Sequence, residues 1–319
     1  VSRIIMDHMS QKLAADASRM SVIYNGIDMA EAAALMARCR PPEDLRAELG
    51  LAPGAPVIGV IGRLTITKGL KYFFDAFHML LEKKPDARAL LIGDGPMKKE
   101  LQDYARSIGV HDAALFTGVR TDIYDLLKML DVNVVSSIYE GFPMGCLEAM
   151  SCRLPIVATR VGGIPEMLTH EQTALLCESK SPAQLCDSIV RMLDDAPLRE
   201  RLTDEGYKVV SGKFSLDNML SQVLDVYTRV LREKYRVFRS AGTAAPTRPK
   251  VLLTLPELRV GGVETHVIDL ARGLKHKGYE PLVVSFGGKL VENLEAEKIP
   301  HIKLPVHSKS PLVIFDMVG

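Results

Sequence analysis

The run Val57-Ile58-Gly59-Val60-Ile61-Gly62 has the β-branched, apolar composition of a buried strand. An amphipathic helix pattern follows it, in which apolar side chains over residues 70–81 keep the i, i+3, i+4, i+7 spacing. Runs of the two kinds then alternate, and we predict strands at 57–61, 89–92, 114–116, 132–135 and 156–158 with helices between them. Continuous apolar strands separated by helices are typical of a parallel sheet covered on both faces. The sequence therefore predicts a doubly wound α/β fold.

The organisation of the chain changes near residue 181, where the pattern becomes wholly helical. We expect three helices, at 182–194, 197–211 and 215–236. Small residues and prolines within 237–249 are typical of a flexible linker, after which strand and helix patterns begin again. The predicted domains are a short remnant at 1–28, one full α/β domain at 29–236 and the start of another domain at 250–319.

The composition is that of an ordinary globular protein of 319 residues, 47% hydrophobic and 25% charged, with a formal net charge of +1. This charge gives no reason to expect nucleic acid as a partner. Five cysteines without a Cys-x-x-Cys pair indicate reduced thiols in a cytoplasmic protein. No apolar run reaches the roughly 18 to 20 residues that span a bilayer.

The most informative motif is Glu-Gly-Phe-Pro-Met-Gly-Cys-Leu-Glu-Ala-Met, from Glu140 to Met150. Its carboxylates, Glu140 and Glu148, flank a turn that is expected to leave a strand and open a helix. Ligands of doubly wound sheets collect at this edge, and a helix N-terminus suits a phosphate. Glu148 would then lie about one turn inside the helix, within reach of ribose hydroxyls, and Glu140 would face the group attached to the phosphate. A solvated pair of glutamates around an ordinary loop would give the same pattern.

Two cations, Arg63 and Lys68, follow the first strand of this domain. Both can reach the same crevice and neutralise a diphosphate, Arg by a two-pronged bond and Lys as a point charge. Taken alone they could equally be surface cations at a helix start. The glycine pair in Gly162-Gly163-Ile164-Pro165-Glu166 permits a close backbone approach, with a simple turn as the default interpretation.

Together these motifs resemble the nucleotide-binding domain of family 4 glycosyltransferases, which are retaining enzymes of the GT-B architecture. The matching residues are Arg63, Lys68, Gly93-Asp94-Gly95, Thr117-Gly118, Glu140 to Met150, Pro155 to Ala158 and Gly162-Gly163 to Glu166. The resemblance covers about residues 20–236 and implies Rossmann-like domains of GT-B type. Asn25-Gly26-Ile27-Asp28 resembles the interdomain linker of the family, so residues 1–28 are expected to be the remnant of an acceptor domain with its linker.

The resemblance also implies roles for single residues. Glu148 would bind the nucleotide ribose, and Glu140 would lie near the hydroxyls of the donor sugar. Arg63 and Lys68 would hold the diphosphate and help it to leave. The implied catalytic residues are Glu140, Arg63 and Lys68, and the implied donor-binding residues are Arg63, Lys68, Gly141, Phe142, Pro143, Met144, Glu148 and Gly262.

Gly262 enters through a second resemblance. Lys250-Val251-Leu252-Leu253, followed by Gly261-Gly262, is similar to the first strand and glycine loop of a GT-B N-terminal domain, where the loop passes close to the donor phosphates. His266 is expected to be an ordinary helix residue rather than a catalytic group.

One position departs from the pattern of the family. Arg153 stands where the family usually has Gly. Because Arg takes a left-handed helix cap less readily than Gly, we expect an altered C-cap, with no loss of a ligand-binding residue.

The motifs that are missing narrow the chemistry. The sequence has no Asp-x-Asp, no Gly-x-x-x-x-Gly-Lys-Ser/Thr and no Gly-x-Gly-x-x-Gly after a strand. We therefore expect neither a metal nor a cofactor.

A basic stretch at 229–250 would attract the chain to an anionic membrane surface, although a solvated helix end explains it as well.

The sequence thus predicts a glycosyltransferase of polysaccharide or glycolipid biosynthesis, cytoplasmic or peripheral at the inner membrane face. It would transfer a sugar from a nucleoside-diphosphate sugar to a glycan or lipid-linked acceptor, with retention of configuration. Two alternatives stay open, a non-catalytic nucleotide-sugar-binding module and a GT-B-like nucleotide-sugar epimerase. Because the order of the domains is inverted relative to one complete enzyme, we expect an excerpt of two glycosyltransferases in tandem rather than a circular permutant.

Overall fold

The computed structural model describes residues 2–13, 20–239, 250–258 and 262–304. The chain divides into two compact units, Val1–Ser215 and Leu216–Gly319, and each contains a parallel sheet. From residue 240 onward the predicted linker lies outside the described residues. The predicted domain boundaries at 28, 236 and 249 stay predictions.

The first unit is built on a six-stranded parallel sheet in the order β3-β2-β1-β4-β5-β6. Its strands are Val57–Ile61 (β1), Arg88–Ile92 (β2), Ala114–Gly118 (β3), Val132–Val135 (β4), Ile156–Thr159 (β5) and Leu175–Cys177 (β6). The order reverses between β1 and β4, so the chain leaves these two neighbouring strands in opposite directions across the sheet. Such a reversal opens a crevice at the carboxyl ends of the two strands, where doubly wound folds bind their ligands.

Helices cover both faces of this sheet. They are Arg3–Leu13 (α1), Met29–Ala37 (α2), Pro42–Glu48 (α3), Leu70–Lys83 (α4), Lys98–Ser107 (α5), Ile123–Met129 (α6), Met144–Ser151 (α7), Ile164–Met167 (α8), Pro182–Asp194 (α9) and Ala196–Gly212 (α10). On one face, Phe73, Phe74 and Phe77 of α4 are fully buried. On the other face, Leu147 and Ala149 of α7 are fully buried. Two separate apolar cores on one sheet confirm the predicted doubly wound arrangement.

The second unit is a smaller α/β assembly. Its elements are Leu216–Arg239 (α11), Lys250–Thr254 (β7), Gly262–His276 (α12), Glu280–Ser285 (β8), Val291–Ala296 (α13) and His301–Lys303 (β9). The strands are parallel in the order β7-β8-β9, which agrees with the predicted restart of strand and helix alternation. Leu258, Leu274 and Val283 are fully buried in the core of this unit.

No helix in the described part of the chain is long and apolar enough to cross a membrane. Most of the basic stretch 229–250 lies outside the part of the chain that the structure describes, namely the side chains of 231–239 and all of 240–249.

Candidate functional site

The loops that leave β1 and β4 are joined to each other at the reversal of strand order. The carbonyl of Thr67 accepts a hydrogen bond from the amide of Ile138 at 2.8 Å, and Ser136 Oγ donates to the carbonyl of Lys68 at 2.9 Å. Gly69 makes this approach possible, because it has a φ of +61° and a Cβ there would lie 2.3 Å from the carbonyl oxygen of Ser136. The two predicted motifs therefore share one rigid edge of the sheet.

This edge brings Lys68 and Glu140 into direct contact. Lys68 Nζ lies 2.8 Å from Glu140 Oε2, and Ser137 Oγ donates to the same oxygen at 2.8 Å. Ser137 is fully buried, and its carbonyl accepts a hydrogen bond from Thr159 Oγ1 at 2.6 Å. Within the described part of the chain, Oε1 of Glu140 receives no hydrogen bond. Glu140 is thus held through one oxygen and presents the other.

Glu148 lies one turn inside α7. A Cβ built on Gly145 would be 4.0 Å from Glu148 Oε2, so the carboxylate reaches back toward the helix start. Burial raises the pKa of Glu148, and no described residue forms a hydrogen bond or an ion pair with its carboxylate. A half-buried carboxylate that has lost part of its hydration without gaining a protein partner is unfavourable. A ligand hydroxyl that donated to it would relieve this cost.

The start of α7 is also uncapped. Its N-cap residue, Pro143, makes no side-chain hydrogen bond to the amides of the first turn. These amides and the positive end of the helix dipole are the groups that bind phosphates in other proteins. The anion-accepting helix end, Glu148 and the pair of Lys68 with Glu140 therefore belong to one site.

Cys146 lies between the two glutamates and was not predicted as part of the site. Its side chain is fully buried, and burial raises its pKa to about 12. Burial is the largest cause of this shift in pKa; the charges of Glu140 and Glu148 act in the same direction, and that of Lys68 opposes them. The thiol is therefore protonated at neutral pH and forms an apolar floor rather than a nucleophile. The position of Cys146 between Glu140 and Glu148 in the sequence could have indicated that it lies in the site.

Phe142 contributes differently from what its place in the motif suggests. Its side chain is 6% exposed and packs in an aromatic cluster, with ring centres 5.3 Å from Tyr24 and 5.4 Å from Phe214. What Phe142 can offer to a donor is therefore its main chain. The next residue but one, Met144, starts α7 and accepts a weak bond on Sδ from Asn25 Nδ2 at 3.6 Å.

The two remaining predicted residues are placed separately from these contacts. Arg63 is exposed and forms no ion pair with any described residue, so its guanidinium is available to an anion. Gly262 is the first residue of α12 and belongs to the second unit. Burial lowers the pKa of His266, on the same helix, to about 4, so that its ring is neutral at pH 7.

The glycine pair, for which a simple turn was the default interpretation, supports the backbone of the Glu140 loop. Gly162 has a φ of +53°, and a Cβ there would lie 1.7 Å from the carbonyl oxygen of Glu140. The amide of Gly163 donates to the same carbonyl at 3.1 Å. The motif is therefore part of the framework of the site rather than a separate turn.

A metal site does not accompany these groups in the described residues, where no three His, Cys, Asp or Glu side chains come together as ligands. The positive groups at the site are Lys68, Arg63 and the start of α7.

Relatives of the chain share this region. Residues 42–209 match the family model of glycosyl transferases group 1. Over 229 residues the chain is 31% identical to an uncharacterised glycosyltransferase of Methanocaldococcus jannaschii, covering 71% of this chain and 58% of that protein. It is 29% identical over 227 residues to the UDP-Gal:α-D-GlcNAc-diphosphoundecaprenol α-1,3-galactosyltransferase of Escherichia coli, covering 70% of this chain and 58% of that enzyme.

Among solved structures, the Anabaena protein HepE in complex with UDP and glucose matches with a TM-score of 0.64 and 26% identity, over 71% of this chain and 61% of that one. The chain thus spans about three fifths of the length of these relatives. Glycosyltransferase neighbours of this kind confirm the predicted fold class, doubly wound α/β of GT-B type. Because the family model matches more than half of the chain, including both loops of the site and all of α7, this protein belongs to the family of group 1 glycosyl transferases.

Proposed function

We propose that this chain is the donor-binding part of a retaining glycosyltransferase of family 4, which transfers a sugar from a nucleoside-diphosphate sugar to a glycan or lipid-linked acceptor. One observation carries the proposal: Lys68 and Glu140 are in contact at the reversal of strand order, beside a helix start whose Glu148 has no partner among the described residues. Support for the ligands comes from HepE, whose structure contains UDP and glucose, and from the name of the Escherichia coli relative, which specifies a diphosphoundecaprenol acceptor.

Each part of the donor has a chemical match in the site. The diphosphate would lie at the start of α7, where the uncapped amides and the charges of Lys68 and Arg63 compensate its negative charge. The ribose hydroxyls would donate to Glu148, which removes the cost of its unpartnered carboxylate. The sugar hydroxyls would meet Oε1 of Glu140, the oxygen that receives no bond from the described residues.

The same groups would promote the transfer. When the bond between the anomeric carbon and the diphosphate oxygen breaks, the electron pair stays on the diphosphate, and its charge grows. Lys68, Arg63 and the dipole of α7 stabilise this charge more strongly than that of the bound donor, which is how fixed positive groups lower a barrier. The acceptor hydroxyl forms the new bond on the same face of the sugar, with retention of configuration, and its proton passes to the departing diphosphate oxygen.

Isothermal titration with UDP, GDP and ADP and their glucose conjugates tests the site directly. We expect the wild-type chain to bind at least one nucleoside diphosphate, and Lys68→Ala to weaken this binding about 10- to 100-fold, as loss of a charge-assisted hydrogen bond implies. Lys71→Ala is the matched control, because Lys71 lies three residues further along, is 45% exposed and pairs with Glu100 in the same way. Absence of binding by all three nucleotides, or an equal effect of the two substitutions, would contradict the proposal.

Glu140→Gln is a second test, because it should raise the affinity for the nucleoside diphosphate, whereas Lys68→Ala should lower it. This variant releases Lys68 from its ion pair and removes a negative charge beside the diphosphate. It should therefore bind the nucleoside diphosphate alone more tightly than the wild type, and lose sugar transfer. Binding by the wild type without any transfer to added acceptors would favour the non-catalytic binding module instead.

A further inference from the structure

The carboxylate of Glu166, in α8, is occupied by three donors from the N-terminal part of the chain. The amide of Arg3 lies 2.8 Å from Oε2, and the amide of Ile4 lies 3.1 Å from Oε1. The hydroxyl of Tyr24 donates to Oε2 at 2.9 Å. Glu166 therefore caps the first turn of α1, at the positive end of that helix, and holds Tyr24 at the same time.

The protonation states on both sides favour this contact. Burial alone would raise the pKa of Glu166. The amides of Arg3 and Ile4 and the hydroxyl of Tyr24 outweigh burial and hold this pKa below its ordinary value. Burial and the bond to Glu166 raise the pKa of Tyr24 in turn. At neutral pH the carboxylate is ionised and the hydroxyl is protonated, as the hydrogen bond requires.

The first turn of α1, which Glu166 caps, rests on the loop that carries Glu140. A Cβ built on Gly141 would lie 3.2 Å from Ile5 Cδ1, and one built on Gly163 would lie 3.0 Å from Ser2 Cβ. A side chain at either glycine would crowd α1, so Ile5 packs close to the Glu140 loop, and Ser2 packs close to the Gly162-Gly163 loop that supports it. The helix therefore limits where the backbone of Glu140 and Gly141 can lie.

Tyr24, the other group that Glu166 holds, lies against the same loop. Its ring stacks on Phe142, with ring centres 5.3 Å apart and planes inclined by 27°. Lys213 adds to this arrangement, because its Nζ lies 5.2 Å from the centre of the Tyr24 ring and donates to the carbonyl of Glu166 at 3.2 Å. Both groups that bind the Glu166 carboxylate thus pack against the segment 140–142.

We propose that Glu166 is a positioning residue for Glu140, acting through α1 and Tyr24. The partners that the structure gives its two oxygens are three donors of the protein itself. Its role rests on the proposed function, in which Glu140 meets the sugar of the donor. Loss of this carboxylate should therefore weaken recognition of the sugar and leave recognition of the nucleoside diphosphate, at α7 and Glu148, intact.

Glu166→Gln tests the contact itself, because Gln keeps the size of the side chain and replaces one acceptor oxygen with an NH₂ group. We expect the amides of Arg3 and Ile4 to exchange hydrogen about tenfold faster in this variant, measured on the full chain by NMR. Glu171→Gln is the control, since Glu171 forms a surface ion pair with Arg191 and contacts neither amide. Unchanged exchange in Glu166→Gln would overturn the proposal.

Titration then tests the positioning role, with the nucleotide that the wild type binds. In Glu166→Gln the dissociation constant of the glucose conjugate should rise about tenfold, and that of the nucleoside diphosphate by less than about twofold. A merely structural role would weaken both ligands by one factor, and that result would overturn the proposal. If the wild type binds no nucleotide, the proposed function fails instead, which is visible before any variant is compared.

Tyr24→Phe keeps the question answerable if Glu166→Gln does not fold. The Phe ring can keep its stacking on Phe142, while the donor to Glu166 is lost. This variant should shift the ratio of the two dissociation constants in the same direction by a smaller factor. An unchanged ratio in a folded Tyr24→Phe chain would count against the role of Glu166.

Discussion

Arg153 follows the last residues of α7 in a left-handed backbone conformation, with a φ of +54°. A residue other than glycine adopts this conformation at a cost of about 1–2 kcal/mol. Two contacts offset the cost: the guanidinium lies 4.1 Å from the centre of the Tyr207 ring, and it pairs with Asp204. The helix therefore ends with the left-handed geometry that a Gly would adopt there, and the side chain fastens α7 to α10.

Substitutions at Arg153 should separate the cost of its left-handed backbone from the stabilisation by its two side-chain contacts. Arg153→Ala keeps the strained backbone and loses both contacts, so we expect the free energy of unfolding to fall by about 1 kcal/mol. Arg153→Gly loses the same contacts but relieves the strain, and should lie within about 0.5 kcal/mol of the wild type. Urea titration measures both. Equal destabilisation in the two variants would show that strain at this position is negligible.

The contacts of single side chains are the part of the site that the sequence could not predict. Glu140, Glu148 and Lys68 were predicted because residue type and spacing along the strand-to-helix connections after β4 and β1 are visible in the sequence. Ser137 was not, because its role depends on a hydrogen bond to Glu140 and on burial beneath Thr159. Such contacts join residues through the fold, and no local pattern reports them.

At the scale of elements, the apolar pattern predicted β1, β4 and α4 close to their observed ends, since each has enough apolar residues to show it. The strand Leu175–Cys177 (β6) was missed because three residues are too few for a pattern. For the motif from Gly162 to Glu166, the sequence indicated that a close backbone approach was possible but not which loop it would meet. Its function depends on which loop it packs against, and this is set by the neighbouring positions of β4 and β5 in the sheet.

Gly162→Ala should test the packing of these two loops. A Cβ at this position would lie 1.7 Å from the carbonyl oxygen of Glu140, in a backbone conformation that Ala adopts poorly. We expect a loss of about 2 kcal/mol or more in the free energy of unfolding, together with weaker binding of the sugar nucleotide. Gly212→Ala is the control, because nothing lies within 4 Å of its Cβ position at the end of α10. Similar stabilities of the two variants would contradict the role assigned to Gly162.

At the scale of the molecule, the first unit contains the proposed donor-binding residues Glu140 to Met150, Arg63 and Lys68. The second unit, with Gly262, repeats the parallel α/β plan on a smaller sheet. The fold class followed from the alternation of apolar runs with helix patterns, which persists over both units. Along the sequence, the long helix Leu216–Arg239 (α11) continues the helical pattern of the first unit, while its contacts group it with the second unit.

The charge of the whole donor site leads to a last prediction, on metal dependence. A diphosphate carries about three negative charges at neutral pH, and enzymes compensate them with a divalent cation or with fixed positive groups. Here Lys68, Arg63 and the start of α7 are the positive groups, and the described residues contain no cluster of three metal-ligating side chains. We therefore expect the dissociation constant of the nucleoside diphosphate in EDTA to lie within about twofold of its value in about 5 mM MgCl₂. At this concentration Mg²⁺ is in about 10- to 100-fold excess over the nucleotide.

The Lys68→Ala variant adds a second measurement to this comparison. If fixed charges replace a metal, the variant should lose affinity in EDTA, and Mg²⁺ should restore part of it by binding to the phosphates themselves. If the wild type instead binds about tenfold more weakly in EDTA, a cation belongs to the donor complex, and the positive groups of the protein alone do not neutralise the diphosphate. Because the two outcomes differ in the wild type before any substitution is made, the result does not depend on the stability of the variant.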